Sequence, residues 1–325
     1  MPQGIFNSRT SVQAQTKFLT ESFYDETNGV PPLYKSVFNT PESFDKRRSF
    51  ITVLPMAGLG TTVFKPEGSA PTYDQPYELI PYTVTFFTYA LAVKATEESE
   101  LEDPENMLGE VPGELAKASR ETKDLVIWNV FNTGFSSAVL YADGQPLFSA
   151  AHPLAPIATP TGIVSSVGST QSNLLNAVAL TPEALQQAFI TFETTLTERG
   201  APDRRTPKTL MVPTGLDKVA KEITGSTHAP FSGDNKINIQ HNSVDVFTNR
   251  YLTSNTAWFV LGNQGNPFKG GDHHHLFAAF KWESKYKVWR DGETGNYSQK
   301  VSDRYTYGAA GYRALVGSQG SAGNQ

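Results

Sequence analysis

The sequence predicts an α+β fold with many strands and long loops, and three observations support that prediction. Hydrophobic residues make up 38% of the 325 residues and charged residues 18%, both below the usual values for globular proteins. A middle section, residues 165–262, alternates short apolar segments with helical patterns, which is typical of a compact α/β module. A long helical pattern precedes it and alternating strands follow it. This combination disfavours a compact helical bundle.

The charge and cysteine content argue against several classes of function. The chain has 27 Lys+Arg against 32 Asp+Glu, a net charge of −5, whereas dedicated nucleic-acid binders usually show a basic face. The absence of cysteine excludes disulfides, thiolate metal ligands and a cysteine nucleophile. Residues 1–9 contain no secretory signal, and apolar runs such as 125–130 are far shorter than the roughly 20 residues of a membrane helix. We expect a protein of the reducing interior with no membrane partner.

The first 45 residues show no sustained hydrophobic period, yet they contain widely spaced aromatic residues. These are Phe18, Phe23, Tyr24, Tyr34, Phe38 and Phe44. Lone aromatic residues do not build a local core, so we interpret residues 1–45 as an arm anchored on the rest of the chain or on a neighbour. The alternative is a disordered terminus, although disordered segments are usually poor in aromatic residues.

Residues 48–64 and 78–95 are predicted to form a long β-hairpin. The second segment is dense in β-branched and aromatic residues, and the turn-rich stretch 65–71 provides a tip. A strand over 78–95 would reach roughly 50–60 Å. A hairpin of that length is only marginally stable by itself, and no adjacent segment supplies a surface for it. We therefore expect it to be buried between subunits.

A long helix is predicted from Pro112, a residue that suits the first helical position, to Asn132 or Thr133. Gly134 is expected to end it in the left-handed conformation. One apolar stripe runs along the helix at a period of three to four residues, formed by Leu115, Ala118, Thr122, Leu125 and Trp128. Such a stripe indicates an amphipathic helix with a single buried face.

Local signals place further elements beyond the long helix. Thr181 and Pro182 open a second helix as N-cap and first position, residues 209–213 form a strand, and a third helix starts at 214. Strands follow at 244–247 and 257–261. Apolar and charged residues alternate over 280–288, which predicts a strand with one buried face, ended by an Asp-Gly turn at 291–292. Residues from 316 onward are rich in Gly, Ser and Gln and are expected to be loose.

No motif predicts an active site, a cofactor or a metal. The cluster His273, His274 and His275 could bind Zn²⁺ or Ni²⁺, but only His273 and His275 would converge on a strand. A polar loop explains it better. The acidic run 97–105 lacks calcium-loop spacing and is interpreted as a solvated turn before a helix. Basic and aromatic residues interleave over 281–290, which strand alternation explains.

The order of these features resembles the major capsid proteins of tailed phages with the Hong Kong phage-type fold, specifically the Mu-like major head subunits. The likeness covers about residues 75–315. It depends on 89–94 (YALAVK) followed by the acidic 100–103 (ELED), 146–153 (PLFSAAHP), 173–176 (NLLN) followed by 180–185 (LTPEAL), 209–213 (TLMVP) and 256–261 (TAWFVL).

The resemblance implies a division of the chain. Residues 1–45 would be the N-terminal arm and 46–96 the extended hairpin loop. The peripheral domain with its long spine helix would comprise 97–164 and 263–308, and the α/β axial domain 165–262 and 309–325. The chain would be a structural, non-enzymatic head protein that assembles into hexamers and pentamers of an icosahedral or prolate shell in the host cytoplasm.

The resemblance also implies partners and contacts. Its partners would be copies of itself, a scaffolding protein, a portal, a decoration protein and packaged double-stranded DNA bound without sequence specificity. Large aromatic side chains dominate many interfaces, so candidate intersubunit contacts are Phe18, Phe23, Tyr24, Phe64, Lys65, Tyr82, Phe86 and Phe87. Two alternatives stay open. One is an encapsulin-like shell enclosing an enzyme cargo, and the other is a metal-dependent hydrolase centred on His273 and His275.

Overall fold

The structure, a computed structural model, describes most of the chain. The described residues are 8–41, 44–54, 56–57, 59–79, 81–102, 107–141, 143–154, 170–197, 200–203, 205–228, 237–262 and 276–321. The helices are α1 (Ser8–Gly29), α2 (Glu97–Leu101), α3 (Met107–Asn132), α4 (Pro182–Thr194) and α5 (Asp217–Gly225), with 3-10 turns at Leu33–Ser36 and Thr214–Leu216.

The strands alternate with these helices in chain order. They are β1 (Phe50–Val53), β2 (Met56–Ala57), β3 (Tyr77–Glu78), β4 (Tyr82–Thr85), β5 (Phe87–Ala95), β6 (His152–Pro153), β7 (Thr170–Gln171), β8 (Leu174–Leu175), β9 (Pro207–Pro213), β10 (Asp245–Asn249), β11 (Trp258–Gly262), β12 (Leu276–Arg290), β13 (Tyr297–Ala309) and β14 (Leu315–Ser318). The mixed helix-and-strand composition agrees with the predicted α+β class.

The chain divides into two compact units. The first comprises Met1–Ser49, Thr85–Ile127 and Ala278–Thr306, and the second comprises Phe50–Val84, Trp128–Phe277 and Tyr307–Gln325. The first unit contains a three-stranded sheet in the order β12-β13-β5. Its small core joins Phe23 of α1, Leu115 and Ala116 of α3, and Val301 of β13.

The second unit is built on a five-stranded sheet in the order β10-β9-β11-β14-β8. Its core unites β9, β11 and β14 with α4 and α5. Thr181 caps α4 as predicted, because its Oγ1 accepts a hydrogen bond from the backbone N–H of Ala184 at 3.1 Å. Local N-cap chemistry therefore defines where this helix begins.

The N-terminal segment contains a helix that the sequence pattern did not indicate. In the part of α1 whose burial is described, residues 17–29, the buried side chains are Leu19 and Phe23, spaced four residues apart, so no extended apolar period is needed there. The segment after it is also attached to the first unit. Backbone N–H groups of Leu33 and Tyr34 donate to the carboxylate of Asp124 in α3, at 3.2 and 2.9 Å.

Helix α3 ends at Asn132 as predicted but starts at Met107, before Pro112. Gly134 is not among the glycines with positive φ, so its expected left-handed cap is wrong. Its small size serves packing instead: a Cβ there would lie 2.9 Å from the ring of Phe148.

The prediction of which residues form the buried face of α3 is partly wrong. Leu125 is 58% exposed, whereas Lys123 and Asp124 are buried. Charged residues occupy the buried face because tertiary partners form hydrogen bonds or ion pairs with them there, which hydrophobic periodicity does not reveal.

The C-terminal residues are also more ordered than their composition suggests. β14 is fully buried and lies between β11 and β8. Gly317 lies there because Phe148 packs against its backbone, and a Cβ would come within 2.7 Å of that ring. The expectation of a loose segment from residue 316 is therefore wrong for the described residues 316–318.

Candidate intersubunit surfaces

The exposed and buried faces of α1 separate the candidate contacts of the N-terminal segment. Phe23 has no exposed surface, and its ring stacks on Tyr286 with 4.7 Å between centroids. Phe18 is 62% exposed and Tyr24 is also exposed. Contrary to the prediction of an intersubunit contact, Phe23 contacts its own chain, because it lies in the core of the first unit. Phe18 and Tyr24 are available to a neighbour.

The two adjacent phenylalanines at the end of the hairpin have different environments. Phe86 is buried, with its ring stacked on Phe44 at 5.6 Å and its backbone N–H donating to Ser49 at 3.0 Å. Phe86 therefore also contacts its own chain, contrary to the prediction that it contacts a neighbouring subunit. Phe87 begins β5 and is 56% exposed. Alternation along an extended chain accounts for the difference, because successive side chains point to opposite faces.

The hairpin has a short paired base and a long exposed loop. β1 pairs with β4 and β2 pairs with β3 in antiparallel register, while every residue from 61 to 76 is exposed. Phe64 and Tyr73 are 87% and 88% exposed, and Leu59 is exposed as well. Lys65 adjoins Phe64 on this loop. The backbone N–H of Gly60 donates to Asp74 at 2.8 Å, which joins the two sides of the loop.

Tyr82, at the start of β4, mainly contacts its own chain. Its ring centroid lies 6.0 Å from that of Tyr141. Burial, with a smaller contribution from Tyr307, raises the pKa of Tyr82 to about 12. The side chain retains some exposed surface, so a neighbour could reach only its rim.

The first unit also has an exposed apolar surface on β5, which is an edge strand among the described residues. Leu91 and Val93 are exposed like Phe87. Leu91 pairs directly with Val301 in the antiparallel register, so these side chains share the sheet face that carries the core with α1 and α3. Leu91 and Val93 were not predicted as contacts, although the period of two over Phe87, Tyr89, Leu91 and Val93 indicates that they lie on one face.

A buried cluster of charged groups lies between α3 and the sheet of the first unit. Lys123 Nζ is 2.7 Å from Ser284 Oγ and 3.3 Å from carboxylate oxygens of Asp303 and Glu283. Asp303 also accepts a hydrogen bond from Ser119 Oγ at 2.6 Å. These contacts satisfy a buried ammonium and explain why Lys123 can lie on the inner face of α3.

A second buried polar cluster lies in the second unit around His152. Its Nδ1 contacts the carboxylate of Asp143, and its Nε2 is 2.9 Å from Asn173 Oδ1. Asn173 Nδ2 donates to the carbonyl of Leu147 at 2.8 Å, so Oδ1 must accept and His152 Nε2 must donate. Both nitrogens are occupied, which leaves neither free to act on a nucleophile.

The residues described contain no group of three or more His, Cys, Asp or Glu that could hold a metal ion. His273, His274 and His275 lie outside the described residues, so the metal-site alternative stays untested. Among the described helices, none is long and apolar enough to cross a membrane.

Comparisons with known proteins agree with the architecture. A family model described as "Phage capsid protein" matches residues 81–318, while no curated protein matches the chain. Solved structures give likenesses over most of the length. A protein of Microbacterium phage Oxtober96 has a TM-score of 0.54 at 10% identity, covering 90% of this chain and 92% of that chain.

Two structures of bacteriophage JBD30 are similar as well. The procapsid has a TM-score of 0.52 at 15% identity and covers 98% of this chain and 78% of that chain. The capsid decorated with minor capsid protein trimers has a TM-score of 0.51 at 17% identity, with coverage of 69% and 92%. At these identities the likeness concerns the fold, which is that of phage major capsid structures.

Proposed function

The chain belongs to the phage capsid protein family, and we propose that it is the major head subunit of a tailed phage, of the Mu-like type. In this proposal it assembles in the host cytoplasm into hexamers and pentamers. These close an icosahedral or prolate shell around double-stranded DNA, and the shell is the capsid of the virion. The family favours this function over an encapsulin-like shell with an enzyme cargo.

The observation that carries the proposal is the exposed loop 59–76 with its apolar side chains. Phe64 and Tyr73 are almost completely exposed, so they do not stabilise the fold of a monomer. The neighbouring residues of the loop are exposed too. Burial against a neighbour would remove this apolar surface from water. The apolar face of β5 supports the same conclusion, since an exposed edge strand with apolar residues invites association unless it is covered.

Several separate surfaces would act together in such a shell. The proposed contacts are Phe18 and Tyr24 on α1, Phe64 and Lys65 on the hairpin loop, and Phe87 on β5, with a marginal contribution from Tyr82. Contacts of this kind are heterologous, because different patches of two copies meet, and they close when rotation completes a ring. Once one contact has formed, the others are effectively intramolecular, so individually modest contacts produce a stable shell.

We further propose the division of roles that the family resemblance implies. Residues 1–45 act as the arm and 46–96 as the extended loop. The peripheral domain comprises 97–164 and 263–308, and the axial domain comprises 165–262 and 309–325. The five-stranded sheet, which combines β8 to β11 with β14, supports assigning the C-terminal strand to the axial domain.

The proposed partners are a scaffolding protein, a portal, a decoration protein and the packaged DNA, which is bound without sequence specificity. The similar capsid of JBD30 is decorated with minor capsid protein trimers, and this supports the decoration partner. The net charge of −5 supports enclosure of the DNA without tight, sequence-specific binding.

Electron microscopy of the chain, expressed alone and with a scaffolding protein, tests the proposal. We expect closed shells, sheets, or rings of five or six subunits, with masses confirmed by light scattering. A chain that stays monomeric under both conditions contradicts the proposed function.

A substitution in the hairpin loop tests the observation that carries the proposal. Phe64→Ser should reduce shell yield severalfold without lowering the melting temperature, because the side chain contacts almost nothing within its own chain. Phe64→Leu is the matched control, since it keeps an apolar contact, and should assemble nearly normally. Equal yields for the two variants would show that the loop takes no part in assembly.

A further inference from the structure

One face of the sheet in the first unit carries basic side chains from all three strands. We name this surface the basic face and define it by Lys94 of β5, Lys285 and Lys287 of β12, and Lys300 and Arg304 of β13. Lys285 and Lys287 come from the stretch 281–290, in which basic and aromatic residues interleave.

The orientation of these side chains follows from their neighbours. Tyr286 stacks on Phe23 of α1, so Lys285 and Lys287, on either side of it in the strand, point to the opposite face. Gln299 and Val301 are buried on the helix-bearing face, and Lys300 between them points away from it by the same alternation.

The remaining two cations join the same face through their strand partners. Arg304 lies between the buried Asp303 and Tyr305, and its guanidinium lies 5.5 Å from the ring centroid of Trp282. Lys94 pairs with Ser298 of β13, which precedes the buried Gln299. Paired residues of an antiparallel ladder share a face, so Lys94 lies beside the β13 cations.

The strands contribute no carboxylate to this face. The other side chains on β13 and β5 there are Ser298, Ser302, Thr88, Ala90 and Ala92, whereas Glu283 and Asp303 contact Lys123 on the opposite face. Among the described residues, Glu97 lies 4.0 Å from Arg290 at one end of the sheet. Nearby, hydrogen bonds from Glu293 and Thr294 lower the pKa of Asp291, with a smaller contribution from Lys94. Lys285, Lys287 and Lys300 form no salt bridge with any described residue.

We propose that the basic face binds the phosphate backbone of the packaged double-stranded DNA; this rests on the proposed function and assigns it a site. In a chain of net charge −5, a surface with five cations and no intervening carboxylate is complementary to a polyanion. Cations two residues apart on a strand are about 7 Å apart, and neighbouring strands are about 4.8 Å apart. The basic face is therefore a two-dimensional array of positive charges. Its cations can contact successive phosphates of a duplex that lies on the face in many different positions.

The residue types favour DNA over an acidic protein. Four of the five cations are lysines, which contact phosphates as flexible point charges and carry no base-specific geometry. The indoles on this side are already covered in part, because Arg304 lies over Trp282 and the ammonium of Lys287 is 5.9 Å from the Trp289 ring centroid. Aromatic anchors dominate many protein interfaces, and cations already lie over these two rings.

Fluorescence anisotropy of two labelled 30-base-pair duplexes of unrelated sequence tests the inference. The full chain is titrated at several salt concentrations, below the subunit concentration at which light scattering detects shells. The variant K285Q/K287Q/K300Q should bind both duplexes at least tenfold more weakly than the wild type in about 0.1 M salt. Its slope of log affinity against log salt should be smaller by about 2.7, because each lost phosphate contact contributes about 0.9.

The matched control K208Q/K218Q/K221Q removes the same charge from exposed lysines of the second unit and should bind like the wild type. Equal weakening of both variants, no binding by the wild type, or a preference for one sequence would overturn the inference. So would an unchanged DNA affinity with a selective loss of polyglutamate binding, which would indicate an acidic protein. Shell formation by the same variants, seen by electron microscopy, reports on the proposed function separately.

Discussion

The side-chain amide of Gln299 donates a hydrogen bond to the backbone carbonyl of Leu108 at 3.3 Å. Leu108 lies four residues before Pro112, which has no N–H, so α3 cannot pair this carbonyl in the usual way. Gln299 is buried, and its Oε1 accepts from the hydroxyl of Tyr286 at 2.7 Å. A strand residue thus replaces the donor that proline removes, which explains how Pro112 is accommodated after the first turn of the helix.

Gln299→Leu should lower the free energy of unfolding by more in the wild type than in a Pro112→Ala background. In the wild type the Leu108 carbonyl loses its donor, at a cost of about 1–2 kcal/mol. In the Pro112→Ala background, the restored N–H of residue 112 takes that carbonyl. Urea denaturation of the four proteins gives the coupling energy. A coupling of zero would show that Gln299 does not compensate for the proline, since the loss of the Tyr286 contact cancels in the cycle.

Lys123→Met should strongly destabilise the first unit. The substitution keeps much of the volume but leaves the buried carboxylate of Asp303 without its ammonium partner, and breaking a buried pair in this way costs about 3–5 kcal/mol. Thermal unfolding followed by calorimetry measures the loss. Lys117→Met, on the exposed side of the same helix, removes only a surface pair with Glu114 and should unfold like the wild type. Similar melting temperatures for the two variants would contradict the role given to the buried cluster.

His152→Ala should destabilise the second unit by about 2–3 kcal/mol, because it strips hydrogen-bonding partners from Asp143 and Asn173 in a buried site. It also removes the ring that stacks on Tyr312 with 3.8 Å between centroids. Chemical denaturation measures the change. His228→Ala is the control, since that side chain is exposed, and it should have no effect. A silent His152→Ala would mean that the cluster contributes nothing to the native state.

Local signals in the sequence predicted the elements whose boundaries depend on their own residues. Thr181 and Pro182 start α4 through a cap and a favourable first position. Residues 209–213 lie in β9, and the turn after β12 occurs at Asp291. The turn-rich stretch 65–71 lies in the exposed loop as predicted, but residues 61–64, which were predicted as part of a strand, belong to that loop as well. These conclusions need no knowledge of distant partners.

The tertiary structure alone decided which side chains of those elements are buried. Lys123 lies inward and Leu125 outward on α3, because Asp303 and Glu283 are supplied by distant strands. The segment 78–95 is divided among three sheets, and Phe86 is buried next to an exposed Phe87. The basic face arises only when β5, β12 and β13 come together. Hydrophobic period and local propensity report on one element at a time, whereas burial and charge neutralisation depend on residues far apart in the chain.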